Sequence, residues 1–122
     1  MTLTVNSDTP ITSDQFDTTG PAIAYGAGDI TVTVRAGILV ASGGAGILSD
    51  HLSSRLINNG DINSGVSFGV HISGTGASIV NNAGATIIGT AGIVFDTGQG
   101  SVTNHGIIKG LATGDAGVFF RP

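Results

Sequence analysis

Residues 46 to 48 read Gly46-Ile47-Leu48. The phrase returns as Gly69-Val70-His71-Ile72, Gly92-Ile93-Val94-Phe95 and Gly117-Val118-Phe119-Phe120, at intervals of 23, 23 and 25 residues. A second phrase runs between its copies: Leu56-Ile57-Asn58-Asn59-Gly60-Asp61-Ile62, then Val80-Asn81-Asn82-Ala83-Gly84-Ala85-Thr86-Ile87, then Val102-Thr103-Asn104-His105-Gly106-Ile107-Ile108. Self-similarity at a period of this size marks a stacked repeat, and two interleaved phrases mean one coil per repeat. The period is too short for two helices and lacks a leucine-rich consensus, but it suits three short strands joined by turns. The expected fold is therefore all-β: a single right-handed parallel β-helix, or β-solenoid, of about four coils with roughly 23 residues each.

Composition agrees. Gly accounts for 21 of 122 residues and charged residues for 10%, against roughly 7% and 25% in an ordinary soluble domain. Glycine disfavours helix, and the residues around the glycines are Ile, Val, Thr and Ser, which favour strands. All eight acids are Asp, a turn former. The net charge is −4, and the four basic residues, Arg35, Arg55, Lys109 and Arg121, stand singly. No patch neutralises several phosphates at once, so nucleic acid is excluded as a partner. Cysteine is absent, which removes disulfides from the argument. Met1 to Asp8 lack the basic start and apolar run of a classical secretion signal, and no membrane span is expected.

Residues 1 to 29 hold four Asp, six Thr and two of the three prolines, Pro10 and Pro21. Polar residues with proline blunt a strand edge, so the expected division is an N-terminal cap over 1–29 and β-helix repeats over 30–122. From Asp29 onward, Ile30-Thr31-Val32-Thr33-Val34 alternates at period two and begins the first coil.

Residues two apart in a strand share a face. Ile47, Val70, Ile93 and Val118 are expected to form one inward stack, and Ile62, Ile87 and Ile108 another. With Leu56, Val80 and Val102 inward, Asn58, Asn82 and Asn104 share their face and form a ladder of stacked amides near a turn.

The pattern apolar-x-Asn-x-Gly-x-Ile, followed by Gly-(Ile/Val)-x-(Ile/Phe), resembles the right-handed β-helices of autotransporter passengers and filamentous-haemagglutinin-like secreted bacterial proteins. The resemblance covers residues 30 to 122. It implies an extracellular or cell-surface scaffold of Gram-negative origin, expected to be an N-terminal piece or a stand-alone solenoid because neither an outer-membrane barrel nor a cleavable signal accompanies it. The function expected is non-enzymatic: adhesion, display or self-assembly. Self-association is the leading partner expectation, with a downstream domain or a surface glycan as alternatives and a filament or matrix subunit as a second reading.

Enzymatic β-helices gather carboxylates from successive coils on an outer face. The fourth position after the repeat glycine reads Asp50, Ser73, Asp96 and Arg121, and Asp50 and Asp96, two coils apart, would approach the separation of an inverting glycosidase pair. Against this, Asp96 is placed to pair with Arg121 one coil on, and no aromatic sugar platform is present. His51, His71 and His105 occupy different repeat positions, so no convergent metal site is expected. Gly43-Gly44-Ala45-Gly46 begins like a calcium-binding nonapeptide, but Leu48 stands where the ligand Asp belongs. No cofactor is expected. Two surfaces remain: an outward column of Leu48, His71, Val94 and Phe119, read as a self-association face, and an uncapped coil end at Phe120, Arg121 and Pro122.

Overall fold

The computed structural model describes residues 1–97, 99–112 and 117–121, and all regular structure among them is strand. The chain winds through five three-stranded coils and starts a sixth. The first coil holds β1 (Leu3–Val5), β2 (Thr9–Ile11) and β3 (Gln15–Asp17), and the second β4 (Ile23–Tyr25), β5 (Thr31–Val34) and β6 (Leu39–Ser42). The third holds β7 (Ile47–Ser49), β8 (Arg55–Asn58) and β9 (Asp61–Ser64), and the fourth β10 (Val70–Ile72), β11 (Ser78–Asn81) and β12 (Thr86–Gly89). The fifth holds β13 (Ile93–Phe95), β14 (Ser101–Asn104) and β15 (Ile107–Gly110), and β16 (Val118–Phe120) follows.

Each strand pairs in parallel with its equivalents in neighbouring coils, giving three sheets: β1-β4-β7-β10-β13-β16, β2-β5-β8-β11-β14 and β3-β6-β9-β12-β15. We call these sheets A, B and C. The stack is a parallel β-solenoid rising about 4.8 Å per coil. Five coils replace the four expected because residues 3–25 are not set apart as a cap. β1, β2 and β3 pair in register with β4, β5 and β6. Only Leu3 to Ile23, 20 residues, separate the first two coils along sheet A, so this coil escapes the 23-residue period. Its cap-like character is confined to single positions. Gln15 aligns with the inward Val40, Ile62 and Ile87, and its amide turns back to the carbonyl of Ser13.

Two of the expected columns run through the interior as read. Ile47, Val70 and Ile93 have no solvent exposure, nor do Ile62 and Ile87, and each set lies in direct register. Burying such a side chain contributes about 1.5–3 kcal/mol. The recurring glycine has a steric cause. A Cβ on Gly46, Gly69 or Gly92 would lie 2.6, 2.7 or 2.6 Å from the carbonyl oxygen of the next coil's glycine. That oxygen accepts a coil-to-coil hydrogen bond from the residue after the glycine below, as Val70 N–H to Gly92 O at 2.9 Å. The close approach is therefore fixed by the ladder itself.

The corner after sheet C is tied by another column. Asp17, Ser42 and Ser64 are in register, and each accepts a backbone N–H from the turn that follows: Gly20 at 2.8 Å, Gly44 at 2.9 Å and Ser67 at 3.0 Å. The N–H groups of Thr19 and Gly20 hold the Asp17 carboxyl well below the ordinary carboxylate range. Inside sheet A, Tyr25 is buried with its hydroxyl donating to the carbonyl of Arg55, and burial pushes its phenol above the ordinary value.

Candidate functional site

The asparagine ladder runs along the corner between sheets B and C. Its members are Asn58, Asn81 and Asn104, not Asn82. Asn58 Nδ2 donates to Asn81 Oδ1 at 2.9 Å, and Asn81 Nδ2 donates to Asn104 Oδ1 at 2.9 Å. Asn58 and Asn81 are fully buried. Asn82 lies one residue beyond β11, on the surface, and donates to Asn59 at 2.7 Å. The correction follows from strand register: Leu56 pairs with Ile79, and Ile79 with Val102, so Ile79 points inward and Val80 outward. Each amide is also anchored to its own turn: Gly60 N–H donates to Asn58 Oδ1 at 3.1 Å, Asn81 Nδ2 donates to Ala85 O at 3.2 Å, and Gly106 N–H donates to Asn104 Oδ1 at 3.0 Å. The same column continues below as Val34 and Ile11, without amides.

A second constellation covers the outside of sheet A. Leu48, His71, Val94 and Phe119 are in register as an outward column. Val94, however, has no exposed surface, although it lies outside the inner cluster. Arg121, beyond β16, reaches across this coil to Phe68, which precedes β10, and its guanidinium carbon stands 5.2 Å from the Phe68 ring centroid. Phe68 meets the His71 ring edge-on at 5.2 Å. Asp96 ties the layer together: its Oδ2 is 2.6 Å from His71 Nε2 and 3.0 Å from Ser73 Oγ, and its Oδ1 is 3.0 Å from Arg121 Nε. The last contact is a meeting of charges without an aligned hydrogen bond. Burial works to raise the Asp96 carboxyl, but the hydrogen bonds from His71 and Ser73 and the charge of Arg121 outweigh it and leave the group below its ordinary value. The layer breaks the apolar stripe expected of this face, because Val94 is unavailable to a partner.

The expected Asp50–Asp96 pair is not a symmetric pair of free carboxylates. Both Asp96 oxygens are engaged, whereas the Asp50 side chain is 78% exposed and lies 3.4 Å from His51. His105 is exposed on another corner. Among the described residues no three His, Cys, Asp or Glu side chains converge as metal ligands, and no helix is long and apolar enough to cross a membrane. A shallow depression of about 360 Å³ lies beside β2 and β5, lined by Asp8, Thr9, Pro10, Thr31 and Thr33. Its acid is already occupied, accepting the Thr31 N–H at 2.8 Å.

The third feature is the coil face carried by β14, β15 and β16, the outermost strands of their sheets. Inward residues one coil earlier are sealed: Ile79 1%, Ile87 0%, Ile93 0% and Phe95 0% exposed. Their partners above, Val102, Ile108 and Val118, are only half-buried. Phe120 is 44% exposed and stacks on Phe95 at 4.9 Å between centroids. Ile107, Leu111 and Phe119 are also exposed on this last part of the chain. The opposite face differs, with Val5 at 3% and Ile11 at 2%. Of the expected open end, Phe120 and Arg121 are placed as described, and Pro122 lies outside the described residues.

The chain matches no protein-family model, no curated protein and no solved structure. What stands is the class, a parallel β-solenoid; no link to autotransporter passengers or haemagglutinin-like proteins is found.

Proposed function

We propose that this chain is a non-enzymatic structural and interaction module of a secreted or cell-surface bacterial protein, and that it acts by docking at the coil face of β14, β15 and β16. The observation that carries this reading is the half-exposed interior at that face, where Phe120 is 44% exposed while Phe95 beneath it is sealed. Three adjacent edge strands with apolar side chains between them form a template for further strands. The lateral column supports the reading less, because Val94 is covered.

The test is adsorption of the labelled chain to intact Gram-negative cells. Phe120→Asp should abolish adsorption, while Leu52→Asp, which alters an apolar side chain 62% exposed on a turn, should leave it intact. Equal adsorption by wild type and Phe120→Asp, or loss with both variants, contradicts docking at this face.

A further inference from the structure

We propose that Asn59-Gly60 is a self-modification site: the pair cyclises and loses ammonia when the corner between sheets B and C opens locally, and the closed corner holds the reaction back. The inference is independent of what the chain docks with.

The corner itself demands the glycine. A Cβ on Gly60 would collide with the carbonyl oxygens of Arg35 and Ile38 in the coil below, and one on Gly106, at the same corner of the fifth coil, with those of Asn82 and Ala85. The residue ahead of this glycine is Asn59 in the third coil and His105 in the fifth, whereas in the fourth coil Asn82 is followed by Ala83. Asn59-Gly60 is thereby the single Asn-Gly step among seven asparagines. Glycine has no Cβ to obstruct attack by its own nitrogen and turns freely about its backbone, so of the seven this side chain is the most readily cyclised once released.

In the reaction, Gly60 N gives its proton to solvent base and bonds to Asn59 Cγ. The Cγ–Nδ2 bond breaks, and ammonia leaves with a proton taken from solvent. Water then opens the five-membered ring at either carbonyl. Opening at Cγ leaves an aspartate on a normal backbone. Opening at the main-chain carbonyl leaves the chain running through Cγ, one atom longer.

The closed corner holds the groups this step must move. Gly60 is buried, and its N–H donates to Asn58 Oδ1 at 3.1 Å. Asn59 Oδ1 accepts from Asn82 Nδ2 at 2.7 Å, and Asn59 N–H donates to Val34 O at 2.8 Å. Bringing Gly60 N onto Cγ breaks the bonds to Asn58 and Asn82. At roughly fivefold each, they slow the folded reaction by about 25-fold, and it proceeds through local opening of the corner. The two products differ in consequence. An aspartate at this position still accepts from Asn82, whereas the lengthened backbone draws Gly60 N away from Asn58 and removes one anchor of the ladder.

The experiment follows ammonia loss at each asparagine by peptide mapping and mass spectrometry on the full chain at mildly alkaline pH, in buffer and in guanidinium chloride. In denaturant Asn59 should convert first of the seven, and in buffer its rate should fall by about 25-fold. Asn82→Val, folded by circular dichroism, should speed conversion of Asn59 in buffer about fivefold. Gly69→Ala, which disturbs sheet A and leaves this corner intact, should leave the rate in buffer as in wild type. Equal rates in buffer and denaturant, another asparagine converting first, or Gly69→Ala accelerating Asn59 as much as Asn82→Val would each overturn the inference. The comparison of wild type in the two solvents decides it even where a variant does not fold.

Discussion

Asn81→Val separates the register found here from its nearest alternative. Asn81 donates to Asn104 Oδ1, Ala85 O and Ile107 O and accepts from Asn58 Nδ2. Not all of these partners are orphaned by its loss. Asn58 Nδ2 keeps Gly60 O and Thr86 O, Asn104 Oδ1 keeps Gly106 N–H, and Ala85 O keeps the Ile107 N–H. Two buried amide–amide bonds at about 1 kcal/mol each, plus one unsatisfied group, put the loss near 3 kcal/mol. The valine itself fits, since Val34 occupies the same column fully buried. For a chain of this length the unfolding entropy is about 0.26 kcal/mol per K, so Tm should fall by roughly 12 °C. Asn82→Val removes one surface bond to Asn59 and should lower Tm by only about 2–4 °C. Thermal unfolding followed by circular dichroism reads both. An Asn82→Val loss equal to or larger than that of Asn81→Val refutes the ladder as described.

Gly69→Ala places a Cβ 2.7 Å from Gly92 O and 2.9 Å from Ile87 Cγ2; it should destabilise by about 2 kcal/mol or more in denaturant unfolding. Gly65→Ala, with nothing within 4 Å, should be close to neutral in the same assay. Tyr25 is the single tyrosine in a chain without tryptophan, so tyrosinate absorbance reports it alone. Its folded-state pKa is raised, so its contribution is fully present below the unfolded value of about 10 and is lost as pH rises through the folded one; ionisation should coincide with alkaline unfolding, and free ionisation near pH 10 in folded protein would contradict its burial. Asp96 has the opposite sign. Its stabilisation is present above the ordinary carboxylate value of about 3.9 and is lost as pH falls, so Asp96→Asn should weaken the chain by about 1 kcal/mol at neutral pH and flatten the acid limb of its stability profile.

The sheet A column was legible because the repeat glycine admits no side chain and marks the inward residue that follows it, and the sheet C column because Ile62, between Asp61 and Asn63, fixed its phase. Sheet B was misread at Ile79-Val80, where two adjacent β-branched residues give no alternation and leave Asn81 and Asn82 equally placed. The signal that resolves it was in the spacing. The 23-residue step from Gly46 to Gly69, applied to Leu56 and Asn58, leads to Ile79 and Asn81, the partners seen in the structure. The first coil was hidden by its shorter length and by the absence of a glycine before Leu3. Pairing of Asp96 with Arg121 followed from their shared repeat position. The contact of Arg121 with Phe68 did not, because the two residues lie two coils apart and come together only through the length and direction of the arginine side chain.

The most direct test of the coil register is the set of long-range NMR contacts in this 12.0 kDa chain. The account predicts nuclear Overhauser contacts that connect Val34 to Asn58, Asn58 to Asn81 and Asn81 to Asn104 in parallel register, with Leu56, Ile79 and Val102 running beside them. Contacts from the Asn58 side-chain amide to that of Asn82 in place of Asn81, or an antiparallel pattern between these segments, would contradict it.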